Sequence, residues 1–96
     1  MASYFYILSN KRIGTLYCGV TNDIVRRIAE HKSGKIKGFT SRYKTHLLVY
    51  YETYDDIRDA IHREKCVKEW KREWKFELIE KSNPCWRDLY ADVIQL

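Results

Sequence analysis

The sequence has one proline, four glycines and three cysteines among 96 residues. Cys18, Cys66 and Cys85 are odd in number, far apart and free of CxxC spacing, which argues against both a disulfide framework and a structural zinc site. They are expected as reduced, half-buried thiols. No apolar run approaches the ~20 residues of a membrane-spanning helix, and no basic-apolar-small leader opens the chain. Internal repeats and low-complexity tracts are also lacking. These absences lead to the expectation of a soluble cytoplasmic protein with no membrane role.

Acid is missing from one place in particular. Between Lys32 and Lys44 stand Lys32, Lys35, Lys37, Arg42 and Lys44 with no carboxylate among them, and these five account numerically for the whole net charge of +5. An uncompensated cationic stretch repels itself unless an anion lies against it, and Phe39 and Tyr43 are interleaved as stacking groups. Nucleic acid is the natural partner; a lysine-rich segment kept for solubility is the plainer alternative. If five phosphates were neutralised, affinity should fall by roughly 10² to 10³ between 50 and 200 mM salt. Arg63, Lys65, Lys68, Lys71, Arg72 and Lys75 form a second basic tract, diluted by Glu69 and Glu73, that is expected to support backbone binding.

What is present in quantity is aromatic: eight Tyr, three Trp and three Phe in a chain that is 45% hydrophobic. That composition excludes disorder, and the length allows one domain, 1–96, burying about 65% of its extended-chain surface. Ser3 to Leu8 reads as a strand with Tyr4, Tyr6 and Leu8 on one face and Phe5 and Ile7 on the other. A polar turn with Asn10 and Gly14 pairs it antiparallel to Leu16–Val20, bringing Tyr6 and Tyr17 into adjacent strands. Gly19 allows a tight exit or a backbone approach to a ligand, and Thr21, Asn22 and Asp23 are capping types that start a helix. On that helix Ile24, Val25, Ile28 and Ala29 form the expected buried stripe, leaving Arg27 and His31 on a neighbouring face. Asp23 and Arg27, four apart, also suit a surface ion pair of little weight.

Leu47–Thr53 reads as a third strand, long enough to be central, and a second helix opens between Tyr54 and Asp59. Its stripe Ile57, Ala60, Ile61, Glu64 and Val67 carries Glu64 inward, where a carboxylate is costly unless paired or metal-bound; a Glu64–Lys68 pair competes on equal terms. Trp70, Trp74 and Leu78 repeat every four residues and are expected in the core of a third helix ending near Lys81, not as a base-stacking platform. Ser82, Asn83 and Pro84 break that helix, and Trp86 to Ile94 suggest a final turn or short helix. Glu69-Trp70-Lys71 and Glu73-Trp74-Lys75 spell ExK, but they sit on a helix and lack a preceding strand acid.

Together these segments resemble the GIY-YIG nuclease domain, and more closely its small stand-alone bacterial members related to the amino-terminal domain of the excision-repair nuclease subunit. Tyr4-Phe5-Tyr6 stands for the first tripeptide and Tyr17-Cys18-Gly19 for the second, followed by GVTND from Gly19, Arg26-Arg27 and Glu30-His31. Further matches are Gly38-Phe39-Thr40, Arg42-Tyr43, Leu48 to Glu52, Arg63-Glu64-Lys65 and Leu78 through Asn83-Pro84 to Trp86. The first tripeptide keeps only its tyrosine, and Cys18 replaces the usual isoleucine.

The resemblance implies an α+β fold, a three-stranded antiparallel sheet flanked by helices in the order β-β-α-β-α-α with a short carboxy-terminal turn or helix. It also implies divalent-metal-dependent phosphodiester hydrolysis with Mg²⁺ or Mn²⁺. On the family's active-site positions fall Tyr6, Tyr17, Arg27, His31 and Glu64, and Asn83 matches a polar residue near the end of many members. Such chemistry needs an activated water, charge stabilisation and help for the leaving oxygen. A phenol with pKa near 10 is only ~0.1% ionised at pH 7, so activating Tyr6 or Tyr17 requires about 4 kcal/mol from its surroundings. Arg27 suits the scissile phosphate, and Glu64 the metal. The expected substrate is DNA, branched, damaged or single-stranded, with RNA, a homodimer or a protein partner left open. The competing reading is a nucleic-acid-binding module with the same fold and little or no nuclease activity alone.

Overall fold

The computed structural model describes residues 2–36 and 38–95. Among these the chain forms β1 (Ser3–Ser9), β2 (Leu16–Thr21), α1 (Ile24–Lys32), α2 (Phe39–Tyr43), β3 (Leu47–Tyr54), α3 (Ile57–Lys68), α4 (Arg72–Ser82) and α5 (Tyr90–Ile94). The strands make one antiparallel sheet ordered β2-β1-β3. The centre is therefore β1, not the third strand as its length suggested. Phe5, Tyr6, Ile7 and Leu8 are all fully buried, so β1 is apolar toward both faces, as a central strand must be. Glu52 and Thr53 give β3 a polar end that tolerates the edge.

Period-two alternation divides the core as expected. Phe5 and Ile7 pack with Cys18, Val67, Ile79 and Trp86 beneath α3 and α4, while Tyr6 and Leu8 pack with Ile24, Ile28, Leu48 and Val93 beneath α1 and α5. A bulge interrupts the β1–β3 ladder, because Tyr50 opposes Ile7 but Leu48 opposes Leu8, leaving Val49 unpaired between them. The Val49 carbonyl accepts a bond from Asn83 Nδ2 at 3.0 Å instead.

Helix starts follow the capping residues: Asp23 accepts from the Arg26 amide and Asp56 from the Arg58 amide. Asp23 thus serves as a cap, and Arg27 finds its ion pair with Glu30 at 3.5 Å. The inward faces are rotated from the simplest stripes. On α1 the buried residues are Ile24, Ile28 and His31, with Val25 exposed. On α3 they are Ala60 and Val67, while Ile57 and Ile61 lie exposed on the shoulder, because α3 crosses all three strands and meets them along a narrow line. Trp70 packs in the turn before α4, but Trp74 is half exposed and the core position of α4 goes to Ile79. Cys18 is buried, whereas Cys66 and Cys85 are exposed; all three are free thiols.

Candidate active site

The hairpin places Tyr6 opposite Gly19 and Leu8 opposite Tyr17, so both phenols project from the α1 face of adjacent strands with ring centroids 6.4 Å apart. The glycine makes the approach possible: a Cβ at position 19 would lie 2.5 Å from the Tyr6 hydroxyl and ring. Gly19 lies within β2, so its bare Cα serves to admit the Tyr6 ring and not to make the sharp exit that the sequence suggested.

Tyr6 is fully buried and its hydroxyl lies 2.9 Å from His31 Nε2. His31, also buried, sets its other ring nitrogen 3.1 Å from Thr40 Oγ1. Arg27, one turn before His31 on α1, brings its guanidinium beside the Tyr6 oxygen. Burial pulls His31 down to about 4, with the Arg27 charge adding to the effect, so the imidazole is neutral at pH 7. A guanidinium only donates, so the assignment giving every proton a partner has the Tyr6 hydroxyl donating to Nε2 and His31 Nδ1–H donating to Thr40. Burial pushes the Tyr6 phenol up to about 12 despite Arg27.

Tyr17 differs in being only half buried. Its ring packs 5.4 Å from His31 and 5.9 Å from Phe39, centroid to centroid. With Leu16, Cys18, Phe39, Lys68 and Lys75 it lines a cavity of about 290 Å³, close to the small end of ligand sites. Two ammonium groups thus face the same space as this phenol. Cys18, at its floor, is pushed up to about 11 by burial and stays a thiol.

Glu64 approaches from α3, on the other side of β2. Its side chain is 15% exposed and ion-paired with Lys68 Nζ at 2.7 Å, the i, i+4 pair that the helix geometry allowed. The contact to Glu64 holds the Lys68 ammonium above its ordinary range, with Tyr17 and Cys18 contributing from nearby. Glu64 therefore stands at the cavity by way of Lys68, and no hydrogen bond or ion pair joins it to Tyr6, Tyr17 or Arg27 among the described residues. Those residues contain no cluster of three or more His, Cys, Asp or Glu placed to hold an ion. A single hard carboxylate suits a hard divalent cation that keeps several waters and takes further oxygens from a phosphate, and Glu64 would hold such an ion in place of its contact with Lys68.

Asn83 lies apart from this group. It is buried below α4, its amide bonding the Val49 and Arg87 carbonyls and its oxygen accepting from the Arg87 amide.

The cationic stretch is partly structured. Phe39, Arg42 and Tyr43 lie on α2, with Phe39 4.7 Å from Tyr43, Arg42 over the Tyr43 ring, and an open groove of about 720 Å³ between them and Gly34 and Gly38. Lys35 and Lys44 are exposed. Lys32 is engaged, bonding the Asp88 carboxylate and the His46 carbonyl. Lys37 lies outside the described residues. Sequence reasoning missed Thr40 and Asp88, of which only Thr40 carried a signal, inside the Gly38-Phe39-Thr40 segment; Lys75 was named only as part of the second basic tract.

Residues 2–77 match the GIY-YIG catalytic domain, a nuclease-type fold. The chain belongs to the GIY-YIG family. It is similar to a UPF0213 protein of Bacillus pumilus, 37% identical over 78 residues that span 81% of this chain and 79% of that one. The UPF0213 protein SH2523 of Staphylococcus haemolyticus is 31% identical over 81 residues, 84% of this chain and 99% of its own. Among solved structures, the solution NMR structure of the UPF0213 protein BH0048 from Bacillus halodurans aligns with a TM-score of 0.54 at 32% identity, covering 86% of this chain and 87% of that one.

Proposed function

We propose that the chain is a divalent-metal-dependent endonuclease that hydrolyses phosphodiester bonds in DNA, selecting structured or unpaired substrates of the kind that repair and recombination generate. The observation that carries this reading is the unequal treatment of the two phenols. Tyr17 opens onto a cavity shared with two lysines, while Tyr6 is locked behind it between Arg27 and His31.

In this reading Tyr17 is the catalytic residue: as the phenolate, its own proton first released to solvent, it takes the proton of the attacking water. The water oxygen bonds to phosphorus as the bond to the departing sugar oxygen breaks, and that oxygen takes a proton from solvent water. Tyr6, His31 and Thr40 are positioning residues: their chain of hydrogen bonds, neutral at pH 7, holds the ring against which Tyr17 packs. Arg27 offers permanent positive charge to the phosphoryl oxygens. Mg²⁺ or Mn²⁺, held through Glu64, would supply further charge stabilisation to those oxygens and the leaving group. Lys68, Lys75 and the exposed Lys35, Arg42 and Lys44, with Phe39 and Tyr43, form the nucleic-acid surface. Asn83 acts through the β3 bulge and the segment after α4.

The Glu64–Lys68 contact favours a second reading, a DNA-binding module whose carboxylate is compensated internally and which cleaves little alone. A panel of duplex, flapped, branched and single-stranded DNA incubated with Mg²⁺ or Mn²⁺ separates the two. On the nuclease reading, Glu64→Gln and Tyr17→Phe abolish cleavage with DNA affinity nearly unchanged, and Tyr6→Phe slows it less. If wild type cuts nothing on the panel, the binding module takes its place.

A further inference from the structure

Trp74 leaves half of the largest side chain in the protein open to solvent. It meets Trp70 edge to face, ring centroids 6.3 Å apart, and together with Glu77, Leu78 and Lys81 the pair lines an open groove of about 320 Å³. The corner is braced from behind. The Arg63 guanidinium sits 5.1 Å from the Trp70 ring centroid, Glu52 grips Arg63 with both oxygens at 3.1 Å, and Tyr50 and Tyr54 donate to Glu52 in turn. Trp70 is thereby fixed through four side chains to β3, so an aromatic surface is held ready without ordering cost.

The charge around it is mixed, with its basic excess in the turn that leads to the Tyr17 cavity. Lys71 lies 5.8 Å from the Trp74 ring centroid and Lys81 on the groove wall, and residues 68–75 hold four bases against Glu69 and Glu73. Glu77 is the acid on the lining. Lys75, the residue after Trp74, faces the Tyr17 cavity and bonds the Lys68 carbonyl, so cavity and corner are joined through the turn between α3 and α4. A dry apolar partner would meet charges at the rim, whereas stacked bases with flanking phosphates match rings and lysines alike.

We propose that the Trp70–Trp74 corner is a stacking subsite for unpaired bases of single-stranded DNA, whose backbone passes Lys71 and Lys75 on its way to the Tyr17 cavity. This rests on the nuclease or DNA-binding reading above and adds to it the class of substrate, DNA with an unpaired tail.

The test uses the full chain in EDTA, titrated with a single-stranded DNA oligonucleotide, an RNA of the same sequence and a blunt DNA duplex. Trp74→Ala is expected to weaken single-stranded DNA binding about tenfold, within the range for losing one stacked base, and to change duplex binding less than twofold. Trp74→Phe should recover most of the loss, and the tryptophan quenching caused by the oligonucleotide should shrink in Trp74→Ala. Because Trp74 is half exposed, an unchanged circular dichroism spectrum is expected and is checked first; Lys71→Ala, weakening the same binding severalfold, serves if that spectrum changes. Equal single-stranded DNA affinity in wild type and Trp74→Ala overturns the subsite while leaving the parent reading intact. Wild type binding no nucleic acid overturns both. A loss confined to RNA, or a loss of self-association by sedimentation with DNA affinity unmoved, also overturns it.

Discussion

The pairing of Tyr6 with a neutral His31 makes the stability of the fold sensitive to mild acid. His31 sits near 4 in the folded chain, against an ordinary value of 6.5, so below pH 6.5 the unfolded chain binds a proton that the folded chain refuses. Stability then rises with pH, and the contribution present above 6.5 is lost as pH falls toward 4. Each tenfold change in proton affinity is worth about 1.4 kcal/mol, which gives a loss of about 2 kcal/mol between pH 7 and 5 and about 3 kcal/mol by pH 4. With a urea slope of about 1.3 kcal/mol/M for a domain this size, the midpoint should fall by roughly 1.5 M between pH 7 and 5. Protonation at Nε2 would also set two donors, His31 and the Tyr6 hydroxyl, against each other at 2.9 Å. Urea denaturation at pH 7, 6, 5 and 4.5, followed by circular dichroism, measures the effect; His31→Gln should start less stable and lose the slope. A flat midpoint across this range, or the same slope in His31→Gln, would refute the neutral, buried imidazole. Glu52, which Arg63 and two tyrosines hold below the ordinary range against its own burial, adds its loss at lower pH, as the pH falls through its folded value.

Gly19→Ala should push the Tyr6 ring away from His31, costing about 1–3 kcal/mol and most of any cleavage activity; an unchanged midpoint in urea would mean the Cβ finds room. Asn83→Ala strips partners from the Val49 and Arg87 carbonyls and the Arg87 amide, for an expected cost of about 3 kcal/mol. Loss of cleavage without loss of stability would instead give Asn83 the active-site role its sequence position suggests. Replacing Lys35 and Arg42 together by alanine should flatten the plot of log affinity against log salt by about 2, and an unchanged slope would remove this stretch from the DNA surface. Above pH 10, where burial keeps Tyr6 protonated to about 12, the folded chain holds a proton the unfolded one releases, so stability should fall as pH rises from 10 to 12, less so in Tyr6→Phe.

Short-range physics was legible in the chain itself. Two-residue alternation assigned Tyr4, Tyr6 and Leu8 to one side of the sheet and Phe5 and Ile7 to the other, and the capping cluster Thr21, Asn22 and Asp23 marked the start of α1, because pleat and cap are decided by neighbours within a few residues. The ordered motifs from Tyr4 onward were enough to recognise the family. Other features depended on contacts between distant segments. Which strand lies centrally, why Ile57, Ile61 and Trp74 face outward, and why Val49 bulges all follow from how helices and strands meet in space. The unequal phenols have the same origin, since burial of Tyr6 and the charge state of His31 sum the effects of β2, α1 and α2 over separations of up to 25 residues. At Glu64 the sequence held pairing and metal binding level; in the folded chain the carboxylate reaches Lys68, one helical turn away on the same face.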